Sequence, residues 1–235
     1  MNYENCRIKE KTHQESNMKT NRAGFTLVEM AIVLVIIGLL LGGMLMPLSA
    51  QLEQRRISET QKALDEINQA LIGFAVANKR LPCPSTQTDP AATGYGAEDA
   101  YCSATPIAEG YLPWKTLGVA ELDAWGIPRT TAAAPWLGYW RYRVDRNFAV
   151  TFTLTTSFAD SLVVRNSAGA NLTTTTERPV AIIYSTGPNK TADGQNATFD
   201  AIYQNDTPSS AFDDIAIWVS RPILFNRMVA AGKLP

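Results

Sequence analysis

"GFTLVEMAIVLVIIGLLLGGMLMPLSAQL", residues 24–52, decides how the rest of the chain is read. Between Ala23 and Leu52 the only charged side chain is Glu29. From Met30 to Leu52 the chain carries no charge at all, and a membrane-spanning helix needs roughly 17–25 apolar residues. Core helices are usually striped, whereas this run is apolar all round. It predicts a transmembrane helix over about residues 25–48. Glu29 is then an anomaly, because an isolated carboxylate in lipid costs several kcal/mol and calls for a partner.

On the N-terminal side, residues 1–24 are hydrophilic. Arg7, Lys9, Lys11, Lys19 and Arg22 stand against Glu4, Glu10 and Glu15, a balance of +2. Basic flanks stay in the cytoplasm, so the remainder of the chain is expected outside it. A secretory signal carries its small-residue cleavage site after the apolar run. Here the small pair Ala23-Gly24 comes before it, and a cut there leaves the hydrophobic helix on the mature protein. Met18 opens "MKTNRAG"; translation starting there would give a seven-residue basic leader, and the sequence leaves both starts open.

On the C-terminal side, Ile57, Leu64, Ile67, Leu71 and Phe74 recur at helical spacing. Glu59–Lys62 and Lys62–Glu66 are candidate surface pairs. Pro47 is the sole breaker, and it kinks a helix rather than ending it. One helix is therefore expected from about Phe25 to Asn78, about 80 Å long, greasy in its first half and amphipathic in its second. "LPCPSTQTDP" stops it with three prolines.

The head, residues 81–235, begins with a loop-rich stretch to about residue 113. "TLGVAELDAWG" (116–126) reads as a short helical turn. Strand-like runs follow at 139–144, 148–156, 161–166, 179–186 and 215–220. Alternation is clearest in 148–156, where Phe148, Val150, Phe152 and Leu154 would share a face. Residues 187–212 read as a long loop, and a short helix is expected after Pro222. The joins are too short for crossovers, so the sheet is expected to be antiparallel. The fold class is α+β, with the helical stripe laid on one face of that sheet.

Cys83 and Cys102 both fall in the exported part, where such a pair reads as one disulfide; two buried free thiols are the alternative. The sole histidine, His13, lies in the leader, so a chain cut after Gly24 lacks the commonest general base. No phosphate loop or nucleophile–base set is present, and no enzyme is expected. Taking the leader's five cations and three acids from the chain's 21 and 22 leaves 16 and 19, a net charge of −3. No nucleic-acid partner is expected.

"GFTLVEM" resembles the processing motif of type IV prepilins and of the pseudopilins of type II secretion. The resemblance implies that prepilin peptidase cuts after Gly24 and that Phe25 becomes the N-methylated first residue. It implies that Glu29 of one subunit meets the new amine of another. Further partners would be other pilin or pseudopilin subunits and an inner-membrane assembly platform. The subunit would sit once through the bacterial inner membrane, N-terminus cytoplasmic and head periplasmic, before entering a pilus or pseudopilus. A long helix packed on an antiparallel sheet is the family fold. Gly38 and Gly42, in "GLLLG", would let helices approach closely. "LPCP", "YLPWKTLG" and "DAWGIP" look like minor subunits with large heads. The head of a tip subunit could instead recognise a secreted protein, a surface or DNA. "DAWG" also resembles part of the major pseudopilin pattern, whose members often bind calcium. Asp193, Asp200, Asp206, Asp213 and Asp214 are weak candidates, against a solvated acidic loop, since no D-x-D-x-D-G loop occurs. Trp114, Trp125, Trp136 and Trp140 are a candidate ligand platform, with core packing as the commoner use of such residues.

Overall fold

The computed structural model describes residues 24–100, 102 and 109–234, with the backbone alone for 41–48. Residues 1–23 of the leader, with Cys6, His13 and both candidate starts, lie outside the described residues. Helix α1 runs without a break from Leu27 to Asn78, through the position of Pro47. Lys79 adopts a left-handed φ of 57° directly after it, and the prolines follow. Compact units divide between Ser49 and Ala50, so the amphipathic half of α1 belongs to the same unit as the head.

Within that unit Leu64, Ile67, Leu71 and Ala75 are buried. Phe74 is only half-buried, with the Arg80 guanidinium 5.3 Å from its ring centre. Thr60 extends the buried stripe by one turn. Lys62 pairs with Glu66 as expected, at 3.9 Å. Glu59 pairs with Arg55 at 2.7 Å rather than with Lys62.

The head carries β1 (Gly110–Tyr111), α2 (Trp114–Leu117), β2 (Arg141–Val144), β3 (Val163–Arg165), β4 (Pro179–Ser185), β5 (Ile202–Gln204), β6 (Ile215–Ser220) and α3 (Arg221–Ala230). The main sheet has the order β1-β2-β4-β6, antiparallel throughout. All seven residues of β4 are buried, as a strand covered on both faces requires. Ala181 and Ile183 join Tyr142, Val144, Val219 and the α1 stripe in one core, with Leu224 and Met228 of α3. Ile182 and Tyr184 point the other way, to Leu162, Val164 and Tyr203.

Those last residues sit on or beside a second sheet, β3–β5, which is parallel. This corrects the antiparallel expectation for that pair. Consecutive short joins argue for hairpins, but β3 and β5 are separated by the whole of β4, which supplies the long crossover a parallel pair needs. β5 and the 3-10 turn Gly194–Ala197 also interrupt the stretch expected to be a bare loop.

Residues 148–156 do not form the expected strand. Phe148 and Phe152 are buried, while Val150 and Leu154 are 41% and 45% exposed. Buried Asp145 is the reason. Its carboxylate accepts from the backbone N–H groups of Asn147 (3.1 Å), Ala159 (3.0 Å) and Asp160 (2.9 Å), so the chain turns where a ladder would have run on. Likewise 116–126 is not one helical turn: α2 ends at Leu117, capped by Gly118 in a left-handed conformation (φ 68°), and Leu122 bridges to Tyr139.

Candidate functional site

At its N-terminus α1 opens on a reciprocal cap. Glu29 Oε2 accepts from the Thr26 backbone N–H at 2.8 Å and from the Thr26 hydroxyl at 2.9 Å. The Glu29 N–H in turn donates to Thr26 Oγ1 at 3.2 Å. "TLVE" is thus a capping box, Thr at N-cap and Glu three residues on, satisfying donors that a helix start leaves unpaired. Both bonds to the carboxylate fall on Oε2. Phe25, one residue before the cap, is 83% exposed.

Beyond the cap, apolar residues are exposed on every side: Leu27, Val28, Leu34, Val35 and Leu39 among them. A solvent-facing patch of this kind marks an interaction surface. A Cβ at Gly38 would meet nothing within 4 Å; Gly42 lies outside the described side chains. Among the described residues no helix is long and apolar enough to cross a membrane. The described side chains of the apolar run stop at Leu40 and resume at Ser49.

The "DAWG" segment locks the head to α1. Asp123 accepts from the Trp125 N–H (2.9 Å) and from the Ser185 hydroxyl at the end of β4 (2.6 Å). The Ala124 N–H reaches Thr60 Oγ1 and the Trp125 indole N–H reaches Glu53, each at 3.4 Å. Gly138, at φ 70°, lies so close to this turn that a Cβ would come within 2.3 Å of Gly126 Cα. Three of the four candidate tryptophans, Trp114, Trp125 and Trp140, are buried packing residues. Trp136 is half-buried and stacks on Tyr111 with ring centres 3.7 Å apart.

Of the five aspartates named as possible ligands, the structure gathers three. One carboxylate oxygen each from Asp193, Asp213 and Asp214 lie within 4.8 Å of one another. Asp200 and Asp206 are not in the group; Asp200 accepts from the Ile202 backbone N–H in a local turn, and Asp206 accepts from the backbone N–H of Ser167, distant in sequence. Asp214 is 1% exposed, and its Oδ1, like Asp213 Oδ1, has no hydrogen-bond partner among the described residues. Burial pushes the Asp214 carboxyl up to about 7, with Asp193 and Asp213 adding to the rise. Gly187 makes the approach possible: at φ 60°, a Cβ there would meet the Asp213 carbonyl oxygen at 2.4 Å. An all-oxygen set with two orphaned, buried acceptors fits a hard cation such as calcium.

Residues 19–45 match the family described as "Prokaryotic N-terminal methylation motif". The matched motif supports a type IV pilin- or pseudopilin-like protein. The motif belongs to structural pilin subunits rather than to an enzyme, and it implies processing by prepilin peptidase and assembly with other pilins. The match covers Gly24, Phe25, Glu29, Gly38 and Gly42, and leaves the head outside it. Comparison with curated proteins and with solved structures finds no match.

The cap has a local signal in the sequence: Thr, two residues, Glu, then an apolar run is a signature of a helix start. It yields a prediction. Thr26→Val keeps the side-chain shape but loses the hydroxyl. The change costs about 1 kcal/mol of local helix stability, so amide exchange at Leu27–Glu29 in detergent-solubilised protein is expected to speed up about fivefold. Unchanged exchange there would show that the cap does not hold the first turn.

Proposed function

We propose that the chain is a structural subunit that prepilin peptidase cuts after Gly24, that is N-methylated at Phe25, and that assembles through α1 into a type IV pilus or a type II secretion pseudopilus. Residues of about 25–48 anchor it in the inner membrane first, with the head periplasmic. The observation that carries this reading is the all-round exposure of the apolar residues of α1, directly behind the Thr26–Glu29 cap, inside the matched motif. A surface greasy on every side has no use in water and two uses here, lipid and neighbouring helices.

Glu29 has a place in both. Before assembly, the cap gives its carboxylate an internal partner, which eases its stay in lipid. Oε1 takes no part in either Thr26 bond and remains for the amine of a neighbouring subunit. Low dielectric makes that ion pair strong. Gly38 and Gly42 would let the helices close on one another. Glu29→Ala is expected to be processed and inserted but to fall out of filaments, while Glu29→Asp loses less. Intact mass of membrane and sheared-filament fractions checks both steps, the mature form starting at Phe25. Wild-type assembly of Glu29→Ala would overturn the pairing, and a membrane species still carrying residues 19–24 would overturn the processing site.

The acidic group is a second proposed site. Asp193, Asp213 and Asp214 would hold a calcium ion, which would supply the orphaned oxygens with a ligand and fix the 187–214 segment.

A further inference from the structure

The main sheet ends differently on its two sides. At β1 the edge is closed, because Tyr111 and Ser85 exchange backbone hydrogen bonds at 2.8 and 3.1 Å. At β6 the edge is open: among the described residues, the backbone of 215–218 bonds to β4 alone. β6 reads "IAIWVS", with no charge and no proline, and a register shift lies only at its far end, opposite Pro179 and Ala181. Charges, prolines and covering loops are how exposed edges are kept from pairing with other chains, and 215–218 has none of them. We propose that this edge accepts a strand from a partner protein, an extended segment carrying basic side chains. The proposal goes beyond the assembly reading and does not depend on it.

Shape gives the strand a seat. α1 packs on one face of the sheet and the β3–β5 pair lies against the other. A cavity of about 390 Å³ opens between these layers where the sheet ends. Leu64 and Asp65 of α1 border it on one side, Asp206 and Pro208 beyond β5 on the other, and Ile215–Ile217 form its floor. A second cavity, of about 280 Å³, borders Trp218 and Ser220 further along the same strand. Leu172 and Ile223, which line it, are 46% and 55% exposed. In strand addition, main-chain bonds to the edge give affinity, and pockets for alternate side chains give specificity.

Charge names the partner. Asp65, Asp206 and Asp214 border the first cavity, and no cation does. Neither Asp65 nor Asp206 makes an ion pair among the described residues, and Lys62, one turn before Asp65, is taken by Glu66. Bonds from Ser167 and the Thr207 N–H hold the Asp206 carboxyl below the usual carboxylate range, so it is charged at neutral pH. Asp214 is buried with its Oδ1 unpartnered among the described residues. It is shared with the aspartate group, whereas Asp65 and Asp206 stand outside that group. The rim therefore stays acidic with an ion bound there. Glu177 adds a fourth acid, without an ion pair, at the second cavity. Nearby Arg221 lies over the Phe158 and Phe225 rings, and Arg178 donates to the Ser161 carbonyl. A second copy of this chain, with 16 cations against 19 acids after the cut, has the wrong charge for such a rim.

The test titrates the full processed chain in detergent micelles with three blocked six-residue peptides: a lysine–valine repeat, its glutamate–valine counterpart, and the lysine peptide N-methylated at alternate amides. Fluorescence anisotropy reads binding and amide exchange reads the edge. The lysine peptide is expected to bind saturably, to weaken as salt is raised, and to slow exchange at amides within 215–218 about tenfold. Asp65→Asn combined with Asp206→Asn should weaken it about fivefold. Asp65→Lys, at an exposed position that makes no hydrogen bond among the described residues, should weaken it at least as much with an unchanged melting temperature. Equal binding of the glutamate peptide would overturn the basic partner. Equal binding of the N-methylated peptide, which keeps the charge and loses the donors, would overturn strand addition. Protection of 215–218 that appears without peptide and grows with protein concentration would give the edge to a second copy instead, and no saturable binding would remove the site.

Discussion

Replacing both Cys83 and Cys102 by serine is expected to destabilise the head by about 3 kcal/mol. The two cysteines are bonded, with Cα atoms 5.5 Å apart and a sequence separation of 19. Closing a loop of that length removes conformational entropy from the unfolded chain worth about 3 kcal/mol. The bond does more than close a loop. It fixes the proline-rich exit of α1, where the Cys83 N–H donates to Glu98 at 3.2 Å and Arg80 grips the same carboxylate at 2.8 and 2.9 Å. Losing the covalent tie therefore loosens an ion pair as well as a loop. For a unit of this size, 3 kcal/mol corresponds to about 6–12 °C in melting temperature. Calorimetry of the oxidised wild type, the reduced wild type and the double variant separates the tie from the polarity of the serines. Equal melting of oxidised and reduced wild type would show the bond to be dispensable.

The parts of this fold that are legible in the sequence are those where one local rule acts alone. α1 has a single stripe, few breakers and three prolines at its end, and it ends at Asn78 as expected. β4 and β6 are apolar and β-branched, and both form. Residues 148–156 fail because alternation is only one of two signals there. Asp145 lies three residues upstream and captures backbone donors from 147 to 160, which a pattern of apolar residues cannot register. β5 is missed for the opposite reason: three residues in an Asn- and Asp-rich stretch carry too little pattern, and its partner β3 lies beyond β4 in sequence. The site divides in the same way. Gly24, Phe25 and Glu29 fall within six residues of one local motif, and the matched stretch contains all three. The grouping of Asp193 with Asp213 and Asp214 is a tertiary fact, made by the close approach of Gly187 to Asp213, and nothing in the spacing separates them from Asp200 and Asp206.

Calcium added to the processed chain at pH 7 is expected to raise the stability of the head by about 3 kcal/mol at a hundredfold excess over its dissociation constant. Without the ion, three carboxylates crowd one spot. Burial has lifted the Asp214 carboxyl to about 7, and burial raises Asp213 and Asp123 as well. In the unfolded chain an aspartate releases its proton near 3.9. Between about pH 4 and pH 7 the folded protein therefore holds protons that the unfolded chain has lost. Stability must fall as pH rises through that window. A cation reverses the balance, because it favours the ionised carboxylates and competes with the protons. The calcium increment is accordingly expected to be largest at pH 7 and to shrink toward pH 5. Asp214→Asn should flatten the ion-free pH dependence and remove most of the increment together. Gly187→Ala should lose the increment too, by driving the Asp213 backbone out of place. Magnesium should do less, since it demands a tighter octahedron and gives up its waters reluctantly. Melting curves at pH 5, 6 and 7, with calcium, magnesium or chelator, measure all of this. No calcium shift at pH 7, with the pH slope intact, would mean that the three aspartates share protons rather than an ion.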